Sequence, residues 1–239
     1  MISGTSSSAS NPGIYFTAGI SVVCVIFGYA EGKLQVLLVR RRFEPEAGQW
    51  ALPGCMLHPE EDAQAVRDFI IQKVTGLNWA YTKDIRSFSD RSRHPLGRVI
   101  NIGYYSAVRI NEVSLGPSPF SLASKWFTLD EVPELVFDHA EVLRSARRRL
   151  MKRMRRHPVA FHMLPQKFTM PEVHNLFEQV FEKEIDKRNF SRKALQSALI
   201  IDLGEKKMHT EHVGRLPRLY RFDWEGYRAE RDRKIRFDY

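Results

Sequence analysis

Residues 53–77, PGCMLHPEEDAQAVRDFIIQKVTGL, decide the fold of the first part of the chain. Apolar side chains recur in this segment at the spacing of one helix face, at Val66, Phe69, Ile70 and Val74. The pattern predicts a helix over residues 63–74 that buries Phe69 and Ile70 in the core. Gly76 follows, and glycine readily adopts the left-handed conformation at which helices commonly end. The segment is therefore predicted to form a loop, a helix and a second loop.

The order of residues in this segment resembles the Nudix box, the loop–helix–loop with which Nudix proteins hold a divalent metal against a diphosphate. Glu61 takes the place of the first box glutamate, and Gly76 takes the place of the closing glycine. Substitutions fill the other box positions, with Cys55 for Gly, Phe69 for Arg, and Ile70, Lys73 and Val74 for the metal-binding glutamates. Mg²⁺ needs several oxygen ligands. The resemblance implies a degenerate box without metal or cofactor, which binds a ligand without cleaving it. The alternative is a chance match on an ordinary amphipathic helix.

The charge of the chain is divided unevenly between its two parts. Residues 1–143 carry 13 Lys or Arg and 15 Asp or Glu, whereas residues 144–239 carry 24 and 13, within a net charge of +9 for all 239 residues. A near-neutral first part followed by a strongly basic second part indicates a sensor joined to a module that binds a polyanion. A solvated basic surface is the alternative.

The composition limits where the chain can act. No apolar run approaches the ~20 residues of a membrane span, and residues 1–13 lack the basic and apolar regions of a secretory signal, so we expect a disordered tail there. Cys24 and Cys55 lie apart and form no CxxC pair. This usage predicts a reducing, cytoplasmic location and no zinc site.

Strand patterns surround the box and indicate an α+β domain. Residues 14–27 and 34–40 read as strands, as do residues 79–88 and 99–108. The polar loop before the last strand carries four side chains suited to phosphate, Arg91, Arg93, His94 and Arg98. This loop and strand resemble those of Nudix proteins that bind ADP-ribose-like ligands; the alternative is a solvated loop.

Asp138 and His139 stand near the end of the first part and have two possible roles. They can hydrogen-bond each other and face the ligand. Alternatively, Asp138 caps the helix that follows. A heavily basic helix end, residues 144–156, comes next and ends at Pro158.

The second part has the order of a winged helix-turn-helix. Thr169 and Glu172 form a capping box before a first amphipathic helix. Asp186 is a candidate N-cap for a second helix over residues 187–198, whose predicted inward side chains are Phe190, Ala194, Leu195 and Ala198. The predicted DNA-binding residues are Lys187, Arg188, Asn189, Arg192 and Lys193 on this helix, with Arg215 and Arg218 on the wing. A generic two-helix hairpin with a basic face is the alternative.

Together these features resemble the Nudix-related transcriptional regulators over about residues 14–222. The resemblance implies a Nudix-type α/β/α sandwich with a mixed sheet, followed by a winged helix-turn-helix domain. The expected divisions are a tail at 1–13, a Nudix-like domain at 14–150, a basic linker at 151–160, a winged helix at 161–223 and an extension at 224–239. The implied partners are a double-stranded DNA operator, a second copy of the chain, and an effector that is an ADP-ribose-like nucleotide or a pentose. The alternatives are a divergent Mg²⁺-dependent Nudix hydrolase, with metal ligands from outside the box, and a scaffold or RNA-binding protein.

Overall fold

The computed structural model describes residues 18–116, 118–207 and 216–229. The first part contains a seven-stranded mixed sheet. Its strands are β1 (Gly19–Ala30), β2 (Lys33–Arg41), β3 (Trp50–Ala51), β4 (Gly54–Met56), β5 (Tyr81–Phe88), β6 (Val99–Ala107) and β7 (Ser121–Thr128). The helices of this part are α1 (Ala63–Thr75) and α2 (His139–Met154). Among the described residues, no helix combines the length and apolarity that crossing a membrane requires.

Strand β1 lies at the centre of the sheet. It pairs antiparallel with β2 and β4 and parallel with β6. Val23 and Val25 face the core on the α2 side, while Val22 and Cys24 face the core on the α1 side. The continuous apolar run is thus covered on both faces, as a buried strand requires. Helices on the two faces of this mixed sheet confirm the predicted α/β/α sandwich.

The box helix α1 confirms most of the sequence pattern and corrects one residue. Ile70 is fully buried, but the side chain of Phe69 is 44% exposed. The prediction that Phe69 packs in the core was wrong, because position 69 lies at the edge of the apolar face that Ile70 and Val74 centre. The helix ends where predicted, since Gly76 takes φ 73° and its N–H donates to the carbonyl of Gln72.

One predicted strand start differs from the structure, and the predicted start of another lies outside the described residues. Strand β5 begins at Tyr81, and Trp79 is 70% exposed before it. Strand β1 begins at Gly19, while residues 14–17 and the predicted tail lie outside the described residues.

The second part contains a helix-turn-helix and a small sheet. Its elements are β8 (Phe168–Thr169), α3 (Met170–Phe181), α4 (Lys187–Gln196), β9 (Ile200–Lys206), β10 (Arg218–Phe222) and α5 (Trp224–Ala229). The three strands pair antiparallel in the order β8–β10–β9. The predicted capping box is present, because Thr169 Oγ1 accepts from the N–H of Glu172 at 3.4 Å and Glu172 Oε2 accepts from the N–H of Thr169 at 2.7 Å.

Helix α4 is shorter than predicted, and two expected core residues are exposed. Asp186 caps its start by accepting from the N–H of Asn189 at 2.7 Å, as predicted. Leu195 is 43% exposed and Ala198 lies beyond the helix at φ 58°, so their placement in the core was wrong. The inner face of this short helix is filled by Phe190 and Ala194. Strand β9 follows α4 and continues to Lys206.

The two parts share one hydrophobic core. Phe27 and Leu34 from the sheet belong to the same buried cluster as Phe161 and Phe177 from the second part. Helix α2 continues to Met154 without a break at residue 150. The expected domain divisions remain a prediction.

Candidate functional site

A cavity of about 620 Å³ opens at the end of the sheet where β1 begins. Three loops and the start of α2 surround it. They are the box loop before α1, residues 41–45 after β2, and residues 93–99 before β6. Its volume falls in the range of small-molecule sites.

Arg93 is held at the wall of this cavity by Asp138. Arg93 Nε and Nη2 donate to the two carboxylate oxygens of Asp138 at 2.9 and 2.7 Å, and the two side chains are only 3% and 15% exposed. Asp138 therefore makes neither of the contacts expected for it, since its side chain does not cap α2 and does not bond His139. The bidentate pair fixes the guanidinium plane.

His139 is buried beside the cavity in its neutral form. Its Nδ1 accepts a hydrogen bond from the N–H of Leu52 at 3.1 Å. Burial is the main cause that lowers the pKa of His139 to about 3. A neutral imidazole at physiological pH can accept this bond, whereas a protonated one cannot.

Phe137 forms an aromatic wall next to these groups. Its ring centroid lies 4.9 Å from that of His94 and 5.6 Å from that of His139. The guanidinium carbon of Arg41 lies 5.0 Å from the same ring. Phe137 adopts φ 56°, which is uncommon for an aromatic residue, and such conformations concentrate at functional sites.

The structure brings together four of the six predicted ligand residues. Arg93, His94, Arg98 and His139 line the cavity. Arg91 is exposed and does not line the cavity. Asp138 does not line it either, but holds Arg93 at the cavity wall. Among the cationic and aromatic residues of the lining, sequence reasoning missed five: Arg41, Arg42, Phe43, Phe120 and Phe137. The run of arginines at the end of β2 was the only local signal, and it concerned Arg41 and Arg42. The role of each residue in binding remains a prediction.

The cavity combines cationic and aromatic groups. Four arginines, one acidic side chain (Glu44) and three phenylalanines line it. Guanidinium groups match phosphate oxygens in geometry and charge. Aromatic faces can stack on a heterocyclic base. The lining therefore suits a ligand that carries both phosphate and a base.

The metal site of a Nudix enzyme does not fit these residues. Ile70 and Val74, at two of the metal-binding positions, are fully buried with Val22 and Cys24 in an apolar cluster. The carboxylate of Glu61 accepts from the N–H of His58 at 2.9 Å in the exposed loop. Within the described ranges, no three His, Cys, Asp or Glu residues group closely enough to hold a metal ion.

Helix α4 presents the second candidate surface. Lys187, Arg188 and Arg192 are exposed along it, and Asn189 Oδ1 accepts from Arg192 at 2.8 Å. On the wing, Arg218 pairs with Asp202 at 2.7 Å. Arg215, also predicted to bind DNA, lies outside the described residues. The helix can enter a major groove with its N-terminal side chains foremost.

Comparisons with known proteins found relatives for both parts of the chain. Residues 160–222 match the NrtR DNA-binding winged helix domain. A relative from Acinetobacter baylyi, the ADPR responsive transcriptional repressor NtrR, is 27% identical over 213 residues, which cover 87% of this chain and 83% of that protein. The crystal structure of Shewanella oneidensis NrtR with a 27mer DNA aligns with a TM-score of 0.71 at 27% identity, over 85% of this chain and 93% of that one. The Nudix domain of the same protein, solved with ADP ribose, aligns with a TM-score of 0.52 at 25% identity, over 59% of this chain and 94% of that one.

Proposed function

We propose that this chain is a Nudix-related transcriptional regulator that binds operator DNA under the control of ADP-ribose or a closely related nucleotide. It combines a Nudix-like domain with an NrtR-type winged helix. One observation carries the proposal. A cavity lined by arginines and phenylalanines is joined to a helix-turn-helix, because Val23 and Leu52 of its lining belong to the same hydrophobic cluster as Phe177 of α3.

The charges of the cavity favour a nucleotide over a pentose. A neutral pentose has no group that can neutralise Arg41, Arg42 and Arg98 of the lining. The diphosphate of ADP-ribose can accept from such guanidinium forks. Its adenine can stack on a phenylalanine of the lining.

The buried apolar side chains of the box argue against hydrolysis. Ile70 and Val74 cannot ligate a metal, so the ligand is expected to be bound and released intact. The remaining candidate is a divergent hydrolase that takes metal ligands from elsewhere. Release of AMP from ADP-ribose that requires Mg²⁺ would establish that activity and overturn the sensor.

The proposed regulator works as a homodimer in the cytoplasm, on two half-sites about one helical turn apart. Repression is the proposed direction, because the A. baylyi relative is a repressor. The ligand must bind the DNA-competent and DNA-incompetent states unequally, since otherwise it cannot change DNA affinity. A dimer in solution and a footprint with that spacing are the expected results, and an RNA-binding or scaffold protein would give no such footprint.

The ligand arm of the test uses two arginines of one loop. ADP-ribose is titrated into the full chain by calorimetry, with Mg²⁺ and with EDTA. We expect saturable binding without Mg²⁺ and no turnover. Arg98→Gln should weaken binding about tenfold or more, because it removes a charge-assisted hydrogen bond. The matched control Arg91→Gln lies outside the cavity lining and should bind as the parent does.

The DNA arm uses a duplex taken from upstream of the protein's own gene. ADP-ribose should shift the mobility-shift midpoint by at least fivefold, the lower range of allosteric coupling. An unchanged midpoint at saturating ADP-ribose would refute the proposed control.

A further inference from the structure

Helix α2 carries an unusual density of positive charge. Between Arg144 and Arg156 there are eight Arg or Lys residues and no acidic residue. Six of these charges lie on α2, which joins the sheet to the second part, and Arg155 and Arg156 directly follow its last residue, outside the helix-turn-helix. Their surroundings divide them into two groups.

Three of the eight are used inside the protein. Arg147 pairs with Glu182 at 2.6 Å and donates to the carbonyl of Gln179 at 3.0 Å. Arg149 donates to the carbonyl of Ile85 and Arg153 to the hydroxyl of Tyr81, each at 3.1 Å. These arginines fasten α2 to its neighbours.

The other five form an exposed group that we call the α2 stripe, namely Arg144, Arg148, Lys152, Arg155 and Arg156. None of them pairs with a carboxylate among the described residues. Arg144, Arg148 and Lys152 follow one another at intervals of four residues, about 6 Å along the helix axis. Like charges at this spacing repel each other and destabilise a helix. An external anion would relieve that repulsion.

The α2 stripe reaches the helix-turn-helix. The guanidinium carbon of Arg155 lies 5.3 Å from the ring centroid of Phe181, the last residue of α3. Helix α4, with Lys187 and Arg188 at its start, begins after a short turn. Glu182 stands in that turn, and its charge is compensated by Arg147. The α2 stripe therefore lies beside the helix-turn-helix, while the exposed Glu184 and Asp186 separate its positive charge from that of α4.

We propose that the α2 stripe binds the phosphate backbone of DNA beyond the segment that the helix-turn-helix contacts. The inference rests on the proposed DNA-binding function and extends its footprint. Arginine and lysine contacts to phosphate carry no sequence information, so the α2 stripe adds affinity for any duplex and positions α4 for base recognition.

The test measures the binding of the full chain to a fluorescent 30-base-pair duplex of mixed sequence, between 50 and 200 mM salt. The variant Arg144→Gln/Arg148→Gln is compared with the parent. The slope of log K against log salt is negative, and each lost phosphate contact should reduce its magnitude by about 0.9, so the expected change is about 1.8 for each bound subunit. Affinity at 0.1 M salt should fall about tenfold or more.

Two controls separate this inference from the function on which it rests. Lys83→Gln/Lys125→Gln removes two exposed charges from the sheet and should keep the parental slope. Lys187→Gln/Arg188→Gln tests α4 itself. If only the α4 variant loses salt-dependent affinity, the α2 stripe does not bind DNA and the inference is overturned. If only Arg144→Gln/Arg148→Gln loses salt-dependent affinity, DNA binding by the α2 stripe is supported and DNA binding by the helix-turn-helix is refuted.

A loss of affinity without a change of slope would also overturn the inference, because it would reflect altered folding instead of lost phosphate contacts. Melting temperatures of all three variants close to the parental value exclude that cause in advance. Glutamine is suited to this comparison because its helix propensity is close to that of arginine and lysine.

Discussion

Gln179 of α3 accepts a hydrogen bond at 2.7 Å from the backbone N–H of Leu34, at the start of β2. The same amide donates to the carbonyl of Gly32 and, at 2.6 Å, to Asn175 Oδ1. Asn175 in turn accepts from the hydroxyl of Tyr29 at 2.9 Å. The first helix of the helix-turn-helix is therefore clamped to the β1–β2 hairpin. Arg41 lies at the other end of β2, about 23 Å away, and lines the cavity.

Removing these hydrogen bonds of Gln179 should abolish the effect of ligand binding on DNA affinity. In Gln179→Ala we expect ADP-ribose affinity and ligand-free DNA affinity to stay within about threefold of the parent, because neither surface is touched. The ratio of DNA affinities with and without ligand should move towards one. Both affinities are measured by titration on the same preparation. Gln72→Ala, an exposed change on α1, is the control, and a parental ratio in Gln179→Ala would show that the clamp does not carry the coupling.

The buried pair of Arg93 and Asp138 should dominate stability at the cavity wall. Asp138→Ala leaves a buried guanidinium without its partner, which typically costs about 3–5 kcal/mol. The double variant Arg93→Met/Asp138→Leu removes both charges and should cost less than the single change. Urea unfolding at pH 7 measures both. A single variant within about 1 kcal/mol of the parent would mean that the pair is not buried as described.

Two neighbouring residues of α1 should differ sharply on truncation. Ile70→Ala removes a fully buried side chain and should cost about 2–5 kcal/mol. Phe69→Ala removes one that is 44% exposed and should cost about 1 kcal/mol or less. Each variant serves as the control for the other. Equal losses in urea unfolding would contradict the orientation of α1.

Protonation of His162 should lower the stability of the protein on mild acidification. Its ring stacks on Tyr81, with centroids 4.8 Å apart, and lies 4.4 Å from Trp224. Burial, and then Arg109, lowers its pKa to about 4. In the unfolded chain a histidine titrates near 6.5. The unfolded state therefore binds the proton first as pH falls, and stability is lost from about pH 6.5 towards pH 4.

His162→Phe keeps an aromatic ring and removes that proton site. The loss of unfolding free energy between pH 7 and pH 5 should be about 1–2 kcal/mol smaller in this variant than in the parent. Some loss will remain, because burial also lowers the pKa of His139, to about 3. His58→Gln, at an exposed position, should keep the parental drop. An identical drop in His162→Phe would exclude this histidine as a source of the pH dependence.

The sequence by itself determined what depends on short-range patterns. Capping at Thr169 and Asp186, the stop at Gly76 and the two-sided burial of β1 each follow from residues a few positions apart. The loss of metal-binding glutamates was equally visible, because that motif is contiguous. These local signals sufficed for the α+β class and for the order of a Nudix-like domain and a winged helix.

Only the tertiary structure decided how distant segments meet. Arg93 pairs with Asp138, 45 positions away in the sequence, and Tyr29 donates a hydrogen bond to Asn175, 146 positions away. Arg41 and Phe137 meet His94 in one cavity although no motif links them. Helical spacing alone could not tell whether Phe69 or Leu195 would be covered, because the edge of an apolar face is buried only where another element lies against it. Such contacts are set by packing between elements, which a linear pattern does not contain.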